Sequence, residues 1–166
     1  MANARRKLEI MWIEDQIEDF SPGMEVLKEE LRNRGFEVTE FDRWTAITIE
    51  DAERMLETFE ISAHKPDVIL LDLMIPQDPE DLELRRVDID GGYLIWFEIR
   101  KLKKWLSLVD VPILIITARG RPEYRDQVVA DEATRWLSKP ADPSKVAEKI
   151  KELLAPSEAA SQLSSE

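Results

Sequence analysis

The chain has 166 residues, a formal net charge of −12 and a charged fraction of 35%, a length that suits one domain. The acidity argues against non-specific binding to nucleic acid or to an anionic membrane surface, since both partners are themselves negative. With no cysteine and a single histidine, His64, disulfides, thiolate metal centres, multi-histidine metal sites and a Ser-His-Asp triad fall away.

In chain order, the start Met1–Lys7 lacks the apolar stretch of a leader, and no apolar run reaches the length of a membrane span, so a cytoplasmic setting is the expectation. Leu8–Ile13 is the first apolar run, and Glu14 and Asp15 follow it. Ser21-Pro22 then supplies a cap and a first-turn proline for a helix carrying Met24, Leu27 and Leu31, with Gly35 as a stop. Phe36–Phe41 reads as the second strand. Thr48 and Asp51 resemble a capping box ahead of Ala52, Met55, Leu56 and Phe59 on one helical face. His64 falls in a connecting loop and reads as a surface residue without a role.

The third run, Val68–Leu71, ends at Asp72. Gly92 opens a helix with an apolar stripe of Ile95, Ile99, Leu102 and Leu106. Val111–Ile116 is the fourth strand, with Thr117 at its end, and Pro122 opens a short helix bearing Val128 and Val129. A weaker run, Arg135–Leu137, leads to Lys139-Pro140, and Asp142-Pro143 caps a last helix with Val146, Ile150 and Leu153 inward. The five tryptophans read as core or interface anchors. From about Pro156 the composition turns to Ser, Ala and Glu, the signature of a disordered tail.

Three of the runs are nearly continuously apolar, as expected of parallel strands buried on both faces. The β-α alternation, repeated five times, predicts a doubly wound parallel sheet with helices on both faces. Such sheets bind ligands beyond the carboxyl ends of their strands. There the chain places Glu14, Asp15, Asp72, Thr117 and Lys139. Clustered carboxylates repel one another, and a hard divalent cation such as Mg²⁺ removes the conflict. Lys139 and Thr117 add a positive charge and a donor suited to phosphoryl oxygens, and Asp72, on the central strand, is the best-placed nucleophile.

At these residues the chain resembles the receiver domains of response regulators. Trp12-Ile13-Glu14-Asp15 resembles their acidic pair, and Ile69–Pro76 their phosphoacceptor strand. Ile115-Ile116-Thr117-Ala118 resembles the switch hydroxyl, and Trp136-Leu137-Ser138-Lys139-Pro140 the lysine-proline turn. The resemblance covers roughly residues 7–155 and implies a flavodoxin-like (βα)5 fold, one domain over 1–155 and a tail over 156–166. It further implies that Asp72 takes a phosphoryl group from a histidine kinase or phosphotransfer protein, as an acceptor with slow self-catalysed transfer and loss rather than a turnover enzyme. Glu14, Asp15, Asp72 and the backbone carbonyl of Met74 would hold Mg²⁺, Thr117 would move toward the phosphoryl group, and Lys139 would pair with it.

The pattern departs from the family in two places. Trp136 stands where the family has Tyr or Phe as its switch aromatic, and Gln77–Ile89 reads as an insertion between Pro76 and Asp90-Gly91-Gly92, most simply a solvated loop at the rim, otherwise a lid or partner-selecting element. The expected output is contact with a downstream protein, with no nucleic acid or membrane partner. The alternative is an interaction module that kept the fold and is not switched by phosphate. A haloacid-dehalogenase-like phosphotransferase would need an aspartate where Met74 stands, and a nucleotide-binding enzyme would need a Gly-rich phosphate loop.

Overall fold

The computed structural model describes residues 4–16, 21–38, 44–86, 90–118 and 121–155. Its strands are β1 (Arg6–Lys7), β2 (Ile10–Ile13), β3 (Phe36–Glu37), β4 (Thr45–Ala46), β5 (Val68–Leu71), β6 (Ile113–Thr117) and β7 (Thr134–Ser138). The helices are α1 (Ser21–Asn33), α2 (Ile49–Ser62), α3 (Pro79–Glu83), α4 (Gly91–Arg100), α5 (Pro122–Val129) and α6 (Pro143–Leu154).

Five strands form one parallel sheet in the order β4-β2-β5-β6-β7. Numbered along the chain this is 2-1-3-4-5, the order of a flavodoxin-like doubly wound fold. Successive side chains of a strand point to opposite faces, and here both faces are apolar. Ile10, Trp12, Val68, Leu70, Leu114 and Ile116 pack against Met24, Leu27 and Leu31 of α1 and Val146 and Ile150 of α6. Met11, Ile13, Ile69, Leu71, Ile113 and Ile115 pack against Leu56 and Phe59 of α2, Ile95, Trp96 and Ile99 of α4, and Val128 of α5.

Local chemistry sets the boundaries. Thr48 accepts the Asp51 N–H at 3.1 Å and Asp142 accepts that of Ser144 at 2.9 Å, so the caps expected at these two helices are present. Prolines occupy the first turns of α5 and α6, where a missing N–H costs nothing. β6 starts one residue after Pro112, whose carbonyl still accepts from Ile69 at 2.9 Å although its nitrogen cannot donate.

Two expectations are corrected. Phe36–Phe41 is not the second strand of the main sheet: Phe36–Glu37 pairs with Arg6–Lys7 in a separate two-stranded ribbon, and Thr45–Ala46 takes the place beside β2. The ladder breaks at Glu9, whose N–H goes to the Asp67 carboxylate at 2.7 Å. Residues 39–43, the rest of the expected strand, lie outside the described residues, as do 87–89 of the expected insertion and the tail from 156. The second correction concerns α4, which ends at Arg100. Leu102 and Leu106 are 61% and 71% exposed, and after a left-handed Lys103 (φ 51°) the core is filled by Trp105 and Leu108 instead.

The turn after α4 frees Arg100 to act as a buried hub. Its guanidinium bonds the Asp131 carboxylate at 2.7 Å and the carbonyls of Val109 (2.9 Å), Val111 and Ala133 (3.1 Å). Asp131 also accepts from Thr134, which accepts from the Trp96 indole at 3.0 Å. Burial alone would raise the Asp131 carboxyl, but the bonds from Thr134 and Arg100 outweigh it and hold it below its ordinary value. Arg100→Met should therefore lower stability by roughly 3–5 kcal/mol, the cost of orphaning a buried partner. Urea unfolding checks this, and a loss of only about 0.5 kcal/mol would mark the pair as a surface one.

Candidate functional site

The sheet brings its acidic residues together at a topological switch point. β4 lies to one side of β2 and β5 to the other. The chain leaves β2 by α1 on one face of the sheet and leaves β5 by α4 on the opposite face. Diverging connections open a crevice at the carboxyl ends of β2 and β5. Glu14 and Asp15 follow β2, and Asp72 follows β5, the middle strand.

Ladder-like bonds one residue past each strand fix the backbones. Glu14 N–H donates to Ala46, Asp72 N–H to Ile13 and Lys139 N–H to Thr117, each at 2.9 Å. The side chains then meet. The Lys139 ammonium lies 2.5 Å from Glu14 Oε2 and 2.7 Å from Asp72 Oδ2. The remaining oxygens take backbone donors: Asp72 Oδ1 accepts from Met74 at 2.9 Å, and Glu14 Oε1 from Gln16 at 3.2 Å. Asp15 completes a cluster in which one carboxylate oxygen each from Glu14, Asp15 and Asp72 lies within 4.8 Å of the others.

Glu14 and Asp72 are 1% and 5% exposed, so their charges are held largely out of water. Burial, then the Asp72 charge, push the Glu14 carboxyl up to about 8, against the opposing pull of Lys139. Burial would lower Lys139, but its bonds to Asp72 and Glu14 prevail and raise it above the ordinary lysine value. One ammonium does not neutralise three carboxylates. The all-oxygen donor set fits a hard divalent cation such as Mg²⁺.

Thr117, fully buried at the end of β6, shares this edge: its carbonyl holds the Lys139 N–H, and it stands in register with Ser138. Met74 is half-buried and contributes its N–H to Asp72. Trp136 lies outside the cluster. It is partly buried on the face shared with α2 and α4, and the Arg125 guanidinium lies 5.9 Å from its ring centroid. His64 is at the other end of the sheet, paired with Glu9 and stacked on Phe59 at 5.8 Å.

Two contacts were not read from the sequence. Gly92 donates its N–H to the Leu73 carbonyl at 3.0 Å, and a Cβ at Gly92 would lie 2.1 Å from the Asp72 carbonyl oxygen and 2.6 Å from Leu73 Cα. Only glycine lets α4 approach the Asp72 backbone this closely. The glycine pair before an apolar helix carried that signal. In addition, Ile49 and Glu50, the first residues of α2, donate to the carbonyls of Pro76 and Gln77 at 2.9 and 3.0 Å, which seats the segment after Asp72 on that helix.

The chain matches the family model of the response regulator receiver domain over residues 16–151. The phosphate regulon transcriptional regulatory protein PhoB of Escherichia coli is 28% identical over 138 residues, covering 83% of this chain and 49% of that protein. Response regulator Rre1 of Synechocystis is 29% identical over 103 residues, covering 62% and 38%. The chain thus spans about half the length or less of these relatives. Among solved structures, the signal receiver domain of a DNA-binding response regulator from Colwellia psychrerythraea superposes with a TM-score of 0.57 at 22% identity, covering 90% and 98% of the two chains. Chemotaxis protein CheY4 of Vibrio cholerae gives 0.54 at 22%, covering 91% and 100%. At such identities the structures speak to the fold.

The raised Glu14 carboxyl has a consequence for stability. Without metal, the folded chain binds a proton at Glu14 that the unfolded chain gives up near 4.5. Glu14 therefore favours folding below that value, and its contribution is lost as pH rises toward about 8. Metal-free protein should melt at falling temperature across that window, and Glu14→Gln should flatten the slope. Mg²⁺ should restore stability increasingly toward the alkaline end, because it binds ionised carboxylates. Equal slopes for the wild type and Glu14→Gln would contradict the assignment.

Proposed function

The chain belongs to the response regulator receiver domain family, and on that premise we propose that it takes up a phosphoryl group on Asp72 with Mg²⁺ and signals through protein contact. Membership places the chain in two-component signalling. The acceptor, the cation and the output are our reading. The observation that carries it is the buried Asp72 carboxylate, gripped by Lys139 at 2.7 Å within a cluster of acidic side chains at the switch point.

In the proposed reaction an Asp72 oxygen attacks the phosphorus of a phosphohistidine. The new O–P bond forms as the P–N bond breaks, and the P–N electron pair returns to the imidazole nitrogen, which takes a proton from solvent. The product is an acyl phosphate. Such transfers need positioning and neutralisation of the equatorial oxygens more than covalent help. The Met74 N–H fixes the rotation of the Asp72 carboxylate through Oδ1. Lys139, already within bonding distance of Oδ2, is placed to pair with a phosphoryl oxygen. Thr117 would donate its hydroxyl to another, with Trp136 following it as the switch aromatic. Glu14, Asp15, Asp72 and the Met74 carbonyl would hold Mg²⁺, which when bound supplies the positive charge that lets an anionic donor enter this acidic crevice.

The phosphodonor is a histidine kinase or phosphotransfer protein, and the receiver of the signal is a protein as yet unnamed by its chemistry. PhoB is named as a transcriptional regulatory protein; for the present chain, a net charge of −12 favours protein over nucleic acid as the direct contact. A single domain over 1–155 in a cytoplasmic setting completes the reading. Among the described residues no helix is long and apolar enough to cross a membrane. We read Gln77–Ile89 as an insertion at the rim of the site. Its described part includes the exposed turn α3, capped by Asp78, which accepts the Asp81 N–H at 2.9 Å.

Intact mass after treatment with acetyl phosphate should show one phosphate, labile to hydroxylamine, only when Mg²⁺ is present. Asp72→Asn should take up none while keeping its fold. Lys139→Ala should label more slowly by on the order of a hundredfold, the usual loss when one charge-stabilising donor is removed. Labelling of Asp72→Asn at the wild-type rate would overturn the acceptor assignment. A labelled wild type whose amide protection is unchanged would instead favour the unswitched interaction module.

A further inference from the structure

We infer that α4 is a rigid strap tying the backbone of Asp72 to α5, so that a displacement at the acceptor reaches α5 through two stacked tyrosines. The inference rests on the reading of Asp72 only for what drives the displacement; the strap itself is argued from contacts.

The first turn of α4 has no slack. Gly92 donates to Leu73 at 3.0 Å and leaves no room for a Cβ against the Asp72 carbonyl. Behind it, Ile95, Trp96 and Ile99 are completely buried, so the helix moves as a body rather than by bending its first turn. The same first turn, with Asp90 just before it, meets α5 and the preceding Arg121 by three contacts. Asp90 and Arg121 pair at 3.3 Å. The Tyr93 and Tyr124 rings stack at 3.8 Å with an 8° interplanar angle. The Tyr93 hydroxyl bonds the Gln127 side chain. Arg121 also lies 5.7 Å from the Tyr124 ring centroid, closing the cluster on itself.

α5 lies against β7 and buries little of itself. Of its residues only Val128 is buried, and Val129 on the same short helix is 49% exposed. A helix with so small a buried face sits at the low-stability end of a fold and follows whatever grips it. The tyrosine stack and the Asp90–Arg121 pair are that grip on the α4 side. Arg125 of the same helix reaches the Trp136 ring, so movement of α5 would also disturb the aromatic on β7. The strap thus offers α5 a connection to Asp72 that does not run through Thr117, and by linkage a partner seated on α5 would bias the acceptor in return.

The test is a double-mutant cycle read by amide hydrogen exchange. Gly92→Ala displaces the first turn of α4 without phosphorylation. It should change protection over residues 122–129 by about tenfold, within the usual range of site-to-site coupling. The same substitution made on Tyr124→Leu should leave 122–129 nearly unchanged, while residues 72–74 respond in both backgrounds. An α5 response of equal size with and without Tyr124, or no response in either, overturns the strap. Should Gly92→Ala not fold, acetyl phosphate with Mg²⁺ replaces it as the driver, with uptake read by intact mass in the same samples. Equal uptake by the wild type and Tyr124→Leu, with an α5 response in the wild type alone, is the expected result. Absent uptake would defeat the reading of Asp72; the strap is then decided by Tyr124→Leu alone, which should change protection over residues 72–74, unchanged protection there overturning it.

Discussion

The ammonium of Lys139, 2.5 Å from Glu14 and 2.7 Å from Asp72, occupies a crevice whose carboxylates outnumber it three to one. Much of the rest of the molecule can be understood as arranging that imbalance. Removed from water, like charges repel strongly and an opposite charge is held tightly. Lys139 therefore serves as a resident counter-ion, and the protonation of Glu14 up to about 8 relieves part of the remaining excess. The all-oxygen donor set that remains suits a hard divalent cation.

Keeping such a cluster in place falls to the sheet. Glu14, Asp72 and Lys139 are each fixed by a backbone bond from a neighbouring strand end, and the strands are sealed on both faces by continuous apolar layers. The packing of Gly92 against Asp72 extends this rigidity beyond the sheet, since α4 touches the Asp72 peptide itself. Opposite the site, the Arg100 hub ties the end of α4 to the carbonyls around the start of β6 and β7. One helix is therefore pinned at Asp72 by a glycine and at its far end by a buried guanidinium.

The parts of this arrangement legible in the sequence were those with a local physical signature. Continuous apolar runs marked β2, β5 and β6, and Thr48, Asp142 and the first-turn prolines marked helix starts. Glu14, Asp15, Asp72 and Lys139 were legible because each follows a strand, and strand order then brings them together. What escaped depended on partners distant in the chain. The carboxylate of Asp67 captures the Glu9 N–H and splits the first strand, and Phe36–Glu37 goes with the outer piece. Leu102 and Leu106 fit a helical period, but the turn after Arg100 carries them outward and gives the core to Trp105 and Leu108. The Tyr93–Tyr124 stack joins two helices that share no sequence pattern.

A crystal structure grown with Mn²⁺ and beryllofluoride, a mimic of the phosphoryl group, tests the central claim most directly, because the metal is located by its anomalous scattering. The account predicts Mn²⁺ among Glu14, Asp15 and Asp72, beryllofluoride on an Asp72 oxygen, and the Lys139 ammonium moved from Glu14 onto the fluoride atoms. Mn²⁺ bound elsewhere, or Lys139 still bridging Glu14 and an unmodified Asp72, would contradict it.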